Sequence, residues 1–116
     1  MQDAKLKVLG EKIEAAAEVT GELAGLALRA LEAAGHSGAE GFGSVDAVLA
    51  IVDRALPGWA VSMEGWASAE HGHWTCTLRR SRERDNDEVI GVGRSQHLAP
   101  ALLAALIKVI SFGPRV

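Results

Sequence analysis

Three residues with metal-binding chemistry, His71, His73 and Cys76, fall within six positions of one another, with His36 and His97 elsewhere in the chain. Imidazole and thiolate together are the donor set of a tetrahedral zinc site. The surrounding pattern argues against one. Trp74, Cys76 and Leu78 alternate with His73, Thr75, Thr77 and Arg79, the period of a strand with one apolar face. On such a strand His73 points outward and Cys76 inward, so the two cannot close on one cation without a bulge. The pattern predicts exposed turn histidines and a buried, apolar cysteine. The same geometry removes a Cys-His nucleophile pair, because a core thiol between Trp74 and Leu78 is held protonated. No Ser-x-Gly elbow, paired-carboxylate spacing or phosphate loop is present, and Gly91-Val92-Gly93 lacks the third glycine of a dinucleotide turn. We therefore expect no enzyme, no cofactor and no metal site.

Two other groups could carry binding. Arg79, Arg80, Arg82 and Arg84 form a basic run that could grip phosphates, but Glu83, Asp85, Asp87 and Glu88 interleave or follow it. A solvated hairpin tip with cross-strand ion pairs, each contributing under ~1 kcal/mol, accounts for that mixture. Trp66 shares the outward face of the first predicted strand with Glu64 and Ser68. An exposed tryptophan there points to an interface or to a helix lying over the sheet.

The elements that position these residues follow from periodicity. From Asp3 to Ala34 there is no proline, and Leu6, Leu9, Ile13, Ala16, Leu23, Ala27, Ala30 and Ala34 recur at spacings of three and four, which predicts one long helix. Gly10, Gly21 and Gly25 each weaken it by up to ~1 kcal/mol unless packing uses them, and a kink near Gly21 is the weak point. Residues 35–43 hold four glycines without periodicity and read as a flexible linker. A second unit opens at Ser44, a helix N-cap followed by Asp46 in the first turn. Val45, Val48, Leu49, Val52 and Leu56 then line one face of a helix over about 45–56, which Pro57-Gly58 stops.

Trp59, Val61 and Met63 next alternate with small or polar residues as an inward strand face, and 73–79 repeats the arrangement. Val89–Arg94 reads as a third strand with Ile90 and Val92 inward and Gly91 and Gly93 outward. The turns fall near 67–72 and at the charged tip 81–88. A last helix over 99–110 carries Pro100 near its start and Leu102, Leu103, Leu106, Val109 and Ile110 as its apolar set. The fold class is α+β: a long N-terminal helix (1–34), a Gly-rich linker (35–43), and an α-β-β-β-α unit (44–116) with a three-stranded antiparallel sheet. Trp59, Val61, Trp74, Cys76 and Leu78 are expected to meet the two shorter helices in one interior.

Composition supports a single globular domain. The chain has 116 residues, 48% of them hydrophobic and 20 of them alanine, with 23% charged. The longest apolar run, Leu98–Ile107, is ten residues, against the roughly 20 that cross a bilayer. The lone Cys76 and an N-terminus without an apolar stretch predict a cytoplasmic protein. Net charge is −3. Residues 1–43 hold four basic and seven acidic groups, and 44–116 hold eight of each. Neither part is the basic body of a protein that gains affinity by neutralising phosphates.

Gly91-Val92-Gly93-Arg94-Ser95 ahead of an alanine-rich helix resembles the end of a double-stranded RNA-binding domain, a family of α-β-β-β-α topology. Gly91, Gly93, Ser95, Ala99, Ala104 and Ala105 fit its pattern, and the resemblance implies that His73 stands for a minor-groove contact; Arg79 and Arg80, from the basic run, are the further candidate nucleic-acid contacts. Gln96, His97 and Pro100 stand where that family carries phosphate-gripping lysines, which weakens the implied binding. A second resemblance spans about Asp46 to Ile110. Leu56-Pro57-Gly58-Trp59, a short sheet, and Ala99-Pro100-Ala101-Leu102-Leu103-Ala104-Ala105-Leu106 are similar to the phage-type ABA sandwich proteins of bacterial and prophage genomes, whose role is not established.

The N-terminal helix has a narrow apolar seam that it cannot hide alone, so it folds back or pairs with another chain. We expect a small interaction or structural module, bacterial or prophage-type by the second resemblance, that self-associates as a dimer. Leu9, Ile13, Leu23 and Trp66 form its candidate surface, an unidentified protein is a further possible partner, and no membrane is involved. Duplex RNA binding is the alternative, with nucleic acid the less expected partner.

Overall fold

The computed structural model describes residues 3–39, 41–66, 72–80 and 90–112. Its elements run α1 (Ala4–Ala15), α2 (Gly21–Ala33), α3 (Val45–Ala55), β1 (Ala60–Trp66), β2 (His73–Arg79), β3 (Ile90–Ser95) and α4 (Leu98–Ile110). The strands form one antiparallel sheet in the order β1-β2-β3. The fold is α+β, and α3 to α4 follow the expected α-β-β-β-α order. The expected turns at 67–71 and at the tip 81–88 lie outside the described residues.

The single long N-terminal helix is corrected to two. α1 opens on Asp3, whose carboxylate accepts from the Lys5 amide at 2.9 Å and the Leu6 amide at 3.2 Å. It ends at Ala15, where Ala16 is extended. The chain re-enters a helix only at Gly21, whose φ of +55° lies in the left-handed region that favours glycine. β-Branched Val19 and Thr20, weak helix formers, sit in the break. The turn buries Val19 and leaves Thr20 exposed. Gly35 at φ +89° closes α2: its amide bonds Glu32 O at 3.0 Å and the His36 amide bonds Leu31 O at 2.8 Å, the paired bonds of a Schellman stop.

The glycine-rich connection that follows is tied to the core. Phe42 is buried, and the Arg54 guanidinium donates to Gly38 O at 3.3 Å. α3 begins where expected, with Ser44 Oγ accepting from the Ala47 amide at 3.1 Å, and it buries Val48, Ile51 and Val52.

The centre of the molecule is α4. A helix apolar on every side must be enclosed on every side, and from Pro100 to Ile110 only Lys108 of α4 is not buried. β2 and β3 pack on one side of it, and α1, α2 and α3 pack on it elsewhere. α1 runs antiparallel to it: the Asp3 amide bonds Ser111 O at 2.5 Å, and Gly10 faces Ala104 and Lys108. A Cβ on Gly10 would stand 3.1 Å from Lys108 Cγ, so this glycine is used for close helix packing.

The expected facing of β3 is reversed. Gly91 is opposite Leu78 and Gly93 opposite Cys76, and directly opposed residues share a face. Both glycines are therefore buried against α4, and Ile90 and Val92 are half-buried on the other face. A Cβ on Gly91 would run into Ala105 O, and one on Gly93 into Ala101 O. The side chains are absent because the helix backbone occupies their place.

The expected five-residue interior is also partly corrected. Leu78 and Cys76 are fully buried, and Trp59 and Trp74 pack half-buried against the core. Val61 faces the same way as Leu78, its register partner, but remains 39% exposed. Among the described elements β1 packs only against β2, so α4 does not reach over it.

Candidate interaction surface

A strand at a sheet edge presents unpaired amides and carbonyls, and a protein must either cover them or use them. The two edges here are treated differently. At the β3 edge α1 lies alongside, and Glu14 Oε2 accepts from the Arg94 amide at 2.6 Å. The other oxygen of that carboxylate is 2.9 Å from Lys108 Nζ. One side chain thus joins α1, β3 and α4 and occupies a strand amide. At the β1 edge no described helix or strand lies alongside.

The open edge also carries exposed apolar side chains. Trp66 is 73% exposed and Val61 39%. Met63 is half-buried, and Ser62, Glu64 and Gly65 are exposed. Val61 and Met63 lie on the α4 side, opposite Leu78 and Cys76. Ser62, Glu64 and Trp66 lie on the outer face with Thr77, Thr75 and His73. No described element packs on that outer face.

The other expected surface residues are distributed differently. Leu9 and Ile13 are buried in the chain's own core, at 7% and 0% exposure, and Leu23 is half-buried against it. The seam of α1 is therefore spent inside the molecule, and of the four candidates only Trp66 is open. Among the nucleic-acid candidates, His73 is exposed and Arg79 half-buried on the outer face, and exposed Arg80 follows β2. Arg94, opposite Thr75, joins His73 and Arg79 on that face.

His73 and Cys76 lie on opposite faces of β2, as strand alternation requires, and His71 falls outside the described residues. Burial pushes the Cys76 thiol up to about 11, so it stays protonated near neutrality. Among the described residues no group of three His, Cys, Asp or Glu side chains is placed to hold a metal ion, and no helix is long and apolar enough to cross a membrane.

Sequence reasoning missed one concave feature. A cleft of about 400 Å³ lies where α1 ends and α4 begins, lined by Glu14, 15–17, His73 and 94–97. Within that lining the Ser95 hydroxyl accepts from the His97 amide at 3.1 Å. These residues are far apart in sequence, and no short motif joins them. Glu14 was missed for the same reason, since its two partners are 80 and 94 positions away.

No known protein family, curated protein or solved structure matches this chain.

Proposed function

We propose that the protein is a non-catalytic interaction module that works by self-association, with β1 and the adjoining outer face as its contact surface. The carrying observation is the asymmetry of the sheet: one edge is occupied by Glu14 and α1, and the other bears Trp66 and Val61 in the open. Exposed apolar side chains on an unpaired strand favour strand addition, in which main-chain bonds supply affinity and alternate side chains supply selection. A location in the cytoplasm accords with the single, buried thiol. The prophage-type resemblance, confined to the α3–α4 stretch, is compatible with such a role and adds no chemistry to it.

Sedimentation across a concentration series tests the reading. The native chain is expected to dimerise, and Val61→Lys, which puts a charge on the open edge, is expected to sediment as a folded monomer. A native chain that stays monomeric at every concentration overturns it. Duplex RNA binding is the second reading, supported by His73, Arg79 and Arg94 sharing one face. It predicts salt-dependent retardation of duplex RNA, weakened by the joint change Arg79→Ala and Arg80→Ala.

A further inference from the structure

We infer that the second copy pairs antiparallel along β1 with Met63 opposite Met63, joining two three-stranded sheets into one of six strands. This rests on the self-association proposed above and adds its geometry. A two-fold axis normal to the sheet keeps the α4 sides of both copies together and sets opposed residues on one face, so the register must centre on a residue. Centred on Met63, all seven residues of β1 are matched.

That register fits side chain to side chain. Trp66 falls opposite Ala60 of the second copy and Val61 opposite Gly65, so the two large exposed apolar groups each meet a residue with little or no side chain. Glu64, the only charged residue of β1, falls opposite Ser62, whose hydroxyl can donate to it. Centring on Glu64 would set two carboxylates face to face, which is destabilising. Centring on Ser62 would leave Trp66 opposite residue 58, past the strand's end.

Charge complementarity supports the same choice. Arg79 is the register partner of Ala60 in the neighbouring strand. In the joined sheet it lies two strand spacings, about 9–10 Å, from the Trp66 backbone of the other copy. The indole covering Ala60 thereby approaches the guanidinium in a cation–π arrangement, and the other copy's Glu64 lies two residues along that strand on the same face. The assembly also stops at two. The outermost strands of the six would be the β3 edges, and on both of them Glu14 already holds the Arg94 amide.

The test is mixed disulfide trapping with full-length Ser62→Cys and Glu64→Cys chains, both altered at exposed positions, with Cys76 left in its buried place. Directly opposed strand residues have Cα separations that a disulfide spans. Under mild oxidation of an equimolar mixture, the 62–64 linkage is expected to exceed either homodisulfide several-fold. Predominance of 62–62 or 64–64 linkages overturns the Met63-centred register and leaves self-association through β1 standing. No linkage, with the native chain monomeric by sedimentation, overturns both.

Discussion

The Glu14 carboxylate stands 2.9 Å from the Lys108 ammonium, with both side chains about four-fifths buried at 18% and 21% exposure. Lys108 is the one residue of α4 from Pro100 to Ile110 that is only partly buried, and its stem runs past Gly10 to reach this partner. Because the carboxylate also accepts from the Arg94 amide, cutting it releases a helix contact and a strand edge together.

Glu14→Ala should therefore cost about 1.5–3 kcal/mol, the range for hydrogen bonds involving a charged group. Glu14→Gln keeps an acceptor for Arg94 N and should cost less. Urea unfolding of the three proteins checks the order native, Gln, Ala. An alanine variant as stable as the native chain would remove the staple from the account.

Gly93→Ala should destabilise by about 1–3 kcal/mol, because the added methyl meets the Ala101 carbonyl of a fully buried helix and one backbone must shift. Gly41→Ala, where nothing lies within 4 Å of the added carbon, is the control and should stay within about 0.5 kcal/mol of native. Paired thermal melts measure both.

The Cys76 thiol sets an alkaline limit. Its folded value of about 11 lies above the ordinary 9.0, so on raising the pH the unfolded chain loses its proton first and gains stability relative to the fold. The protection is complete below about pH 9 and disappears as pH climbs through 11, a loss of roughly 2–3 kcal/mol at about 1.4 kcal/mol per unit. Cys76→Ala should flatten that part of the stability profile. In native protein the thiol should also react with alkylating reagents only as fast as the core opens.

Trp66→Ala should leave the melting of the isolated chain nearly unchanged, since the ring is 73% exposed. It should weaken dimerisation by about 2 kcal/mol, roughly 30-fold, if the indole anchors the joint. Two seven-residue strand edges with two tryptophans fall at the small end of specific interfaces, so the dimer should dissociate on dilution. Sedimentation at several concentrations reads both effects.

What was legible in the sequence followed short-range periodicity. Ser44 marked the start of α3, Pro57-Gly58 its end, and the alternation about Cys76 placed β2 over 73–79. The N-terminal register failed at 16–20 because spacings of three and four run across the break. Val19, the residue that turns inward there, stands three residues after Ala16 and four before Leu23, so the spacing carries no sign of the break. β3 was turned over because Ile90 and Val92 are larger than Gly91 and Gly93. Size normally marks the inner face, and here the closeness of α4 inverts the rule. Val61 could not be placed from its own strand, since its exposure depends on how far α4 extends across the sheet. Glu14 and the cleft beside His97 depend on contacts across most of the chain, where periodicity carries no information.

α4 is the last of the described elements in chain order, yet every other described helix and both covered strands are laid against it. During synthesis the other described elements emerge before the surface they bury against exists. Nascent chains should thus acquire protease resistance late and abruptly rather than in stages. The open strand edge is most vulnerable to sticking elsewhere in that interval.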